Sequence, residues 1–286
     1  MTDQPDDPGV PGPGVDAPLF VDHLDERLDR ALRELAALPC VLVALDFDGV
    51  LAPLVDDPAQ SRVTPAAVDA LARLEAMPGI QLALISGRAA GPLVELADVP
   101  AGTRVVGSHG AERGHVGQLT EGRRELVATP LDLTPDQAEL HAQVLAQAHE
   151  LVERYEGAWV ETKPAAVVVH SRNASEEDAA ALTEEVLAGP AALDGLRVQR
   201  GKDVVEMSVV HATKGEALVD LRAEIQPDGL LFAGDDVTDE DGFAVLQDGD
   251  VGIKVGDGPT AASYRVTDPD EFTAVLIRLQ ELREGV

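Results

Sequence analysis

The feature that most constrains this chain is the segment CVLVALDFDGV, residues 40–50. Val41 to Leu45 offer no polar face to water, so the strand they form must be buried on both sides, as in a parallel sheet covered by helices. Two carboxylates, Asp46 and Asp48, follow at once, on a turn opened by Gly49. Ligands of doubly wound sheets collect beyond the carboxyl ends of the strands, so this acidic pair sits where chemistry is expected. IQLALI runs to Ser86, VVGSHG points to a strand end near Gly107, LLFA ends at Gly234, and VGIKV follows.

Helices alternate with these strands. Leu24, Leu28, Leu32, Leu35 and Leu38 recur at spacings of three and four, an amphipathic helix over 22–38 that stops before Pro39. Thr64 and Pro65 cap and open a second helix, another follows Lys214, and a last one runs from about Pro269 to Arg283. The pattern predicts an α/β fold with a doubly wound, Rossmann-like parallel sheet.

Between about residues 115 and 206 the pattern changes. Thr134, Pro135 and Gln137 form a capping box for a helix reaching Tyr155, AAVVVHS reads as a strand, and Ser175 begins another helix. LRVQRGKDVVEMSVV predicts an antiparallel hairpin around Gly201 and Lys202. A mixed α/β unit, 115–206, is therefore expected inside a core made of 21–114 and 207–286, with hinges near 114 and 207.

Residues 1–20 hold five prolines, three glycines and four aspartates, and are expected to be a disordered acidic tail. They lack the basic and apolar regions of a secretory signal. No apolar run approaches the roughly 20 residues of a membrane-spanning helix, so a cytoplasmic protein is expected. The lone Cys40 excludes disulfides and thiolate clusters, and is expected to be a small buried hydrophobe. Fifty-two acidic against 22 basic residues give a formal charge of −30, which argues against nucleic acid or an anionic membrane as partner. A monomer is the expected state.

The acidic pair gains meaning from a second acidic group. GDDVTDED, behind the buried strand LLFA, supplies Asp235, Asp236 and Asp239. Alone it reads equally as a solvated turn. Together with DFDG it offers hard oxygen ligands from two loops, which suit Mg²⁺. Ser86 in ISGR offers a hydroxyl and neighbouring backbone N–H groups to a phosphate, although alone the segment is a plain turn. Lys214 opens a helix, where the dipole disfavours a cation; it is either a surface lysine or a phosphate neutraliser.

In this order DFDGV, Ser86, Lys214 and the acidic group resemble the haloacid dehalogenase superfamily of phosphotransferases. The resemblance implies that Asp46 attacks phosphorus to form an aspartyl-phosphate, and that Asp48 protonates the leaving oxygen and then activates water. It implies that Asp46, Asp48 through its carbonyl, Asp235 and Asp236 hold Mg²⁺. More narrowly, DFDGVLAPLV, ISGR, GSHGAE, GKDVVEM with KGEAL, and FAGDDVTDEDGF are similar to the trehalose-6-phosphate phosphatases. That likeness implies trehalose 6-phosphate as the small-molecule partner, with the inserted unit closing over the sugar as a cap. Positions matching the family's substrate contacts are Gly87 and Arg88 in ISGR, His109 and Gly110 in GSHG, and Lys163, Arg172 and Glu206 in the cap.

Alternatives stay open here. His109 also reads as a core histidine, and Lys163 and Arg172 as surface cations. Glu206 interrupts an apolar strand, which favours a role. Val50 replaces the family's commoner threonine, and Pro164 interrupts the match around Lys163. Another sugar phosphatase, for sucrose 6-phosphate or a hexose phosphate, shares the core motifs. A non-catalytic phosphosugar sensor would have lost its nucleophile, which is present here.

Overall fold

A computed structural model describes residues 24–55, 57–120 and 123–285. The expected tail, residues 1–20, lies outside the described residues. In chain order the first elements are α1 (Glu26–Ala36), β1 (Val41–Leu45), α2 (Pro65–Glu75), β2 (Ile80–Ile85), α3 (Ala90–Ala97), β3 (Arg104–Gly107), β4 (Glu112–Val116) and β5 (Leu126–Thr129). Then come α4 (Pro135–Val152), β6 (Trp159–Thr162), β7 (Ala166–His170), α5 (Glu176–Ala188), β8 (Arg197–Gly201) and β9 (Val204–Ser208). The chain closes with α6 (Lys214–Ile225), β10 (Gly229–Gly234), α7 (Glu240–Phe243), β11 (Val251–Val255), β12 (Tyr264–Val266) and α8 (Pro269–Glu284).

Every residue of β1 is buried, as its composition requires. Val41, Val43 and Leu45 pack with Leu32 of α1, Leu71 of α2 and Phe272 of α8. Leu42 and Ala44 face the other way, toward Leu218 of α6 and Phe243 of α7. Helices thus cover both faces of an eight-stranded sheet ordered β12-β11-β10-β1-β2-β3-β4-β5. The strands from β12 to β3 run parallel. From β1 the chain first winds outward through β2 and β3, and later returns to lay β10, β11 and β12 on the other side. The order reverses between β1 and β10, which is where such sheets open a crevice for ligands. The first helix is shorter than its leucine repeat suggests: Asp25 caps it by accepting from the N–H groups of Arg27 and Leu28.

The expected boundaries of the inserted unit shift. Strands β4 and β5 join the large sheet antiparallel to β3 and to each other, carrying it to Thr129 rather than 114. These short strands, ERGHV and LVAT, have little apolar alternation to announce them. At the other end, position 207 falls within β9, so the unit ends after Ser208. Cys40 is half-buried rather than buried.

The inserted unit is a four-stranded antiparallel sheet, β6-β7-β9-β8, backed by α4 and α5. Strand alternation decides its two faces. Val167, Val169, Val205 and Met207 pack on Val144, Ala148, Leu182 and Val186. The other face carries Glu206, Gln199, Ser208 and Arg197. Pro164 occupies the tight turn between β6 and β7, where Lys163 and Ala166 exchange both backbone hydrogen bonds and no N–H is needed of it. Among the described residues no helix is long and apolar enough to cross a membrane.

Because the smaller unit has its own apolar cluster, Leu182→Ala should cost about 2–5 kcal/mol there. Amide exchange should speed up in α4, β7 and β9 while β1 and β10 keep their protection. Equal acceleration in β1 would show that the two sheets open as one.

Candidate active site

Asp46 stands at the end of β1 and Asp235 at the end of β10, and those strands are neighbours in parallel register, Leu45 beside Ala233. The Asp46 N–H donates to the carbonyl of Ala233 at 3.0 Å. Its Oδ1 accepts from the Phe47 N–H at 2.7 Å, and its Oδ2 meets Lys214 Nζ at 2.8 Å. Gly49 has φ +73°, and a Cβ there would stand 2.0 Å from Asp235 Oδ2. Glycine is therefore required both for the turn and for the close approach of the second carboxylate.

Lys214, at the first position of α6, is buried rather than on the surface. Its ammonium lies between Asp46 Oδ2 and Asp239 Oδ1, the latter at 2.7 Å. The other Asp239 oxygen accepts from the N–H groups of Asp235 at 3.0 Å and Asp236 at 2.9 Å. One oxygen of each of Asp46, Asp235 and Asp239 falls within a 4.8 Å cluster. Asp239 is engaged at both oxygens and Asp46 meets Lys214 and the Phe47 N–H, whereas the Asp235 carboxylate makes no hydrogen bond among the described residues. Asp46 and Asp235, each just past the end of its strand, could hold a hard divalent ion through their remaining lone pairs. Asp236 is exposed, and its carboxylate caps the 3₁₀ turn Val237–Asp239 by accepting from the Val237 N–H. Its side chain does not join the group that the sequence had suggested. Lys254, buried in β11, donates to the carbonyl of Asp235.

The electrostatics of this cluster suit a cation. Burial pushes the Asp46 carboxyl up to about 7; Lys214 opposes the rise and Asp239 adds to it. Asp235 rises to about 6, again through burial and then through Asp239. A divalent ion relieves both, by supplying the charge that burial withholds. Burial pulls the Lys214 ammonium down, but the attraction of Asp46 and Asp239 outweighs it and holds the group above its ordinary value.

The Asp48 carboxylate turns to Arg88, which forks onto it with two hydrogen bonds of 2.6 Å, and to the Ser61 hydroxyl at 3.0 Å. Arg88 also lies over the Phe47 ring, 5.2 Å from its centroid. Ser86, buried at the end of β2, accepts from the Arg88 N–H at 3.2 Å. Gly87 lies under the His109 imidazole, where a Cβ would come within 2.6 Å of the ring. His109 has φ +58°, and its N–H donates to the Ser86 carbonyl at 3.0 Å. Burial, then Lys214 and Arg197, depress its pKa below the ordinary histidine value, which favours the neutral imidazole. Gly110 follows against Ala212.

From the smaller sheet, Glu206 is paired with Lys163 at 2.8 Å. Glu206 also shares a cleft with Ser108, His109, Arg197, Gln199 and Ser208. Arg172 is not brought into that cleft. It is exposed, and its charge adds only weakly to the Ala59 N–H and Gln60 side chain that hold the Asp57 carboxyl low. His170 stacks on Trp159 with ring centroids 4.5 Å apart, and its Nε2 meets Glu161. Sequence reading passed over Lys254, Ser61, Arg197 and Gln199. Lys254 had a signal, a charge inside the apolar run VGIKV; Ser61 had none.

The family model described as trehalose-phosphatase matches residues 44–270, a span that holds this whole site. The chain belongs to the trehalose-phosphatase family. It is an enzyme of the phosphoric monoester hydrolase class. Within that family it is similar to the trehalose-6-phosphate phosphatase of Escherichia coli (strain K12), 34% identical over 249 residues, covering 84% of this chain and 88% of that protein. It is 31% identical over 299 residues to a trehalose-phosphate phosphatase of Mycobacterium marinum, covering 93% and 73%. A bifunctional trehalose-6-phosphate synthase/phosphatase of Thermoproteus tenax is 31% identical over 92% of this chain, which spans only 34% of that protein's length. The fold is shared with a solved trehalose-6-phosphate phosphatase of Aspergillus fumigatus, TM-score 0.60 at 24% identity over 92% of this chain and 98% of that one. A haloacid dehalogenase-like hydrolase from Bacteroides thetaiotaomicron has the same fold, TM-score 0.58 at 15% identity over 84% and 98%.

Removing the central cation should leave two buried carboxylates uncompensated. Lys214→Met is expected to destabilise the protein by about 3–5 kcal/mol in urea unfolding. Adding Asp239→Asn, which removes one charge and keeps an acceptor for the two backbone N–H groups, should recover part of the loss.

Proposed function

We propose that this chain hydrolyses trehalose 6-phosphate to trehalose and phosphate, with Mg²⁺ and an aspartyl-phosphate intermediate. The observation that carries the reading is the meeting of Asp46, Lys214 and Asp235 at the reversal of strand order, with Ser86 beside them.

Asp46 is the nucleophile. One carboxylate oxygen attacks phosphorus, the bond to the sugar oxygen breaks, and Asp48 gives that oxygen its proton. Asp48 then takes a proton from water, which attacks the phosphorus of the aspartyl-phosphate, releasing phosphate and restoring Asp46. Covalent catalysis divides one hard displacement into two easier ones. Lys214, the Ser86 hydroxyl and the backbone N–H of Gly87 offset charge on the phosphoryl oxygens. Asp46, Asp235 and the carbonyl of Asp48 would hold Mg²⁺, which would supply further charge neutralisation. Arg88 and Ser61 position the Asp48 carboxyl at the rim. His109, Gly110, Lys163 and Glu206 face the sugar, and Arg172 reaches it as the cap moves. The chain works as a cytoplasmic monomer on this small anionic sugar, with neither nucleic acid nor membrane as partner. Its smaller unit, about 135–208, is the cap, and it closes over the substrate about segments 130–134 and 209–213.

Phosphate release with Mg²⁺ tests the reading, comparing trehalose 6-phosphate with sucrose 6-phosphate, glucose 6-phosphate and p-nitrophenyl phosphate. A preference of about a hundredfold in kcat/KM, roughly 2.7 kcal/mol of transition-state discrimination, is expected for trehalose 6-phosphate. Equal, weak turnover of all four would discard the substrate while keeping the chemistry. Asp46→Asn should abolish turnover with its circular dichroism unchanged, and wild-type activity in that variant would remove the nucleophile from the mechanism. The same inactive variant, mixed with trehalose 6-phosphate, should show a smaller radius of gyration in solution scattering if the cap closes.

A further inference from the structure

The polar face of the smaller sheet holds more recognition chemistry than the reaction above uses. Register sets Gln199 beside Glu206, and Arg197 beside Ser208 in the next row, all on the side away from α4 and α5. Glu206 is occupied by Lys163. The Ser208 hydroxyl serves the carbonyls of Ala165 and Val210. Gln199 is exposed, lines the cleft, and makes no side-chain hydrogen bond among the described residues. Arg197 gives one nitrogen to the carbonyl of Ala212. A guanidinium carries five N–H donors, so others remain for the cleft.

Across the cleft stand Ser108 and His109. His109 feels the charge of both Arg197 and Lys214, so this one ring links the phosphate-neutralising lysine to the polar sheet. A sugar whose phosphate sits at Asp46 and Lys214 would extend its hydroxyls past His109 onto that face. Sugar hydroxyls both donate and accept. A primary amide answers both from one side chain, and a guanidinium gives charge-assisted donors.

We propose that Gln199 and Arg197 are specificity-determining residues that read the hydroxyls of the sugar. The proposal rests on the sugar phosphatase reading above and extends it to two side chains of β8.

The test is the ratio of kcat/KM for trehalose 6-phosphate to that for p-nitrophenyl phosphate, which has no sugar hydroxyls. Gln199→Ala and Arg197→Gln should each lower this ratio about tenfold, through a raised KM for the sugar phosphate. Gln143→Ala, exposed on α4 outside the cleft, should leave it unchanged. Gln199→Ala is the decisive variant, because that side chain makes no hydrogen bond among the described residues. An unchanged ratio in Gln199→Ala overturns the proposal while the wild-type preference stands. So does a loss shared equally by both substrates or carried by kcat alone. A wild-type enzyme with no preference for the sugar phosphate overturns the functional reading itself, and this proposal with it.

Discussion

The ammonium of Lys214, buried between Asp46 and Asp239, is the contact on which the rest of the site depends. A lysine with 2% of its surface exposed is strongly disfavoured unless it is paired and hydrogen-bonded. Here two carboxylates surround it, and one of them, Asp239, spends its second oxygen on the backbone of Asp235 and Asp236. The loop that follows β10 is thereby shaped by the lysine through Asp239. Fixing Asp235 fixes the partner of Asp46. The cost of a cation at a helix start is offset locally by the Thr213–Glu216 capping box, and Gly215 lets α6 approach Asp241 closely, where a Cβ would meet its carbonyl at 2.4 Å.

This arrangement also answers the problem posed by overall charge. In a chain with 22 basic against 52 acidic residues, an anionic substrate meets long-range repulsion. Lys214, Lys254, Arg88, Lys163 and Arg197 nevertheless gather around one crevice and its neighbouring cleft. Within a Debye length of about 8 Å such local charges count for more than the distant surface. Burial strengthens the effect, as the raised values of Asp46 and Asp235 show: their environment favours added positive charge.

The sequence made the core legible because its signals were physical and local. Five apolar residues followed by Asp46 could only be a buried strand with a carboxylate at its end, and Thr134 with Gln137 does form the expected capping box. Asp46, Ser86 and Asp235 could be placed for the same reason, each standing just beyond a strand, whereas Lys214 was marked only by opening a helix. Contacts that depend on loops meeting across space could not. Ser61 reaches Asp48 from a loop with no periodicity, and nothing in the spacing of GDDVTDED says that Asp236 faces outward as a cap while Asp239 turns in. The hairpin β4–β5 was missed because ERGHV and LVAT are too short and mixed to show a period of two. Arg197 and Gln199 read as ordinary polar positions until the register set them beside Ser208 and Glu206.

A division of labour follows from the strand geometry. In the large sheet, β1 and β2 are buried on both faces, so only residues past their ends are free to meet a ligand. Such positions are few and are tied together by buried charge, and a change at one disturbs the others. The smaller sheet has one face committed to α4 and α5 and one face open. Its open positions recur every second residue, and a change at Gln199 leaves the packing of Val205 or Met207 untouched. On the proposed reading, the chemistry sits where substitution is least tolerated, and recognition of the sugar sits where it is more readily tolerated. The Ser108–His109 corner, bonded through its backbone to Arg88 and Ser86 past the end of β2, is where the cleft meets the ends of the parallel strands.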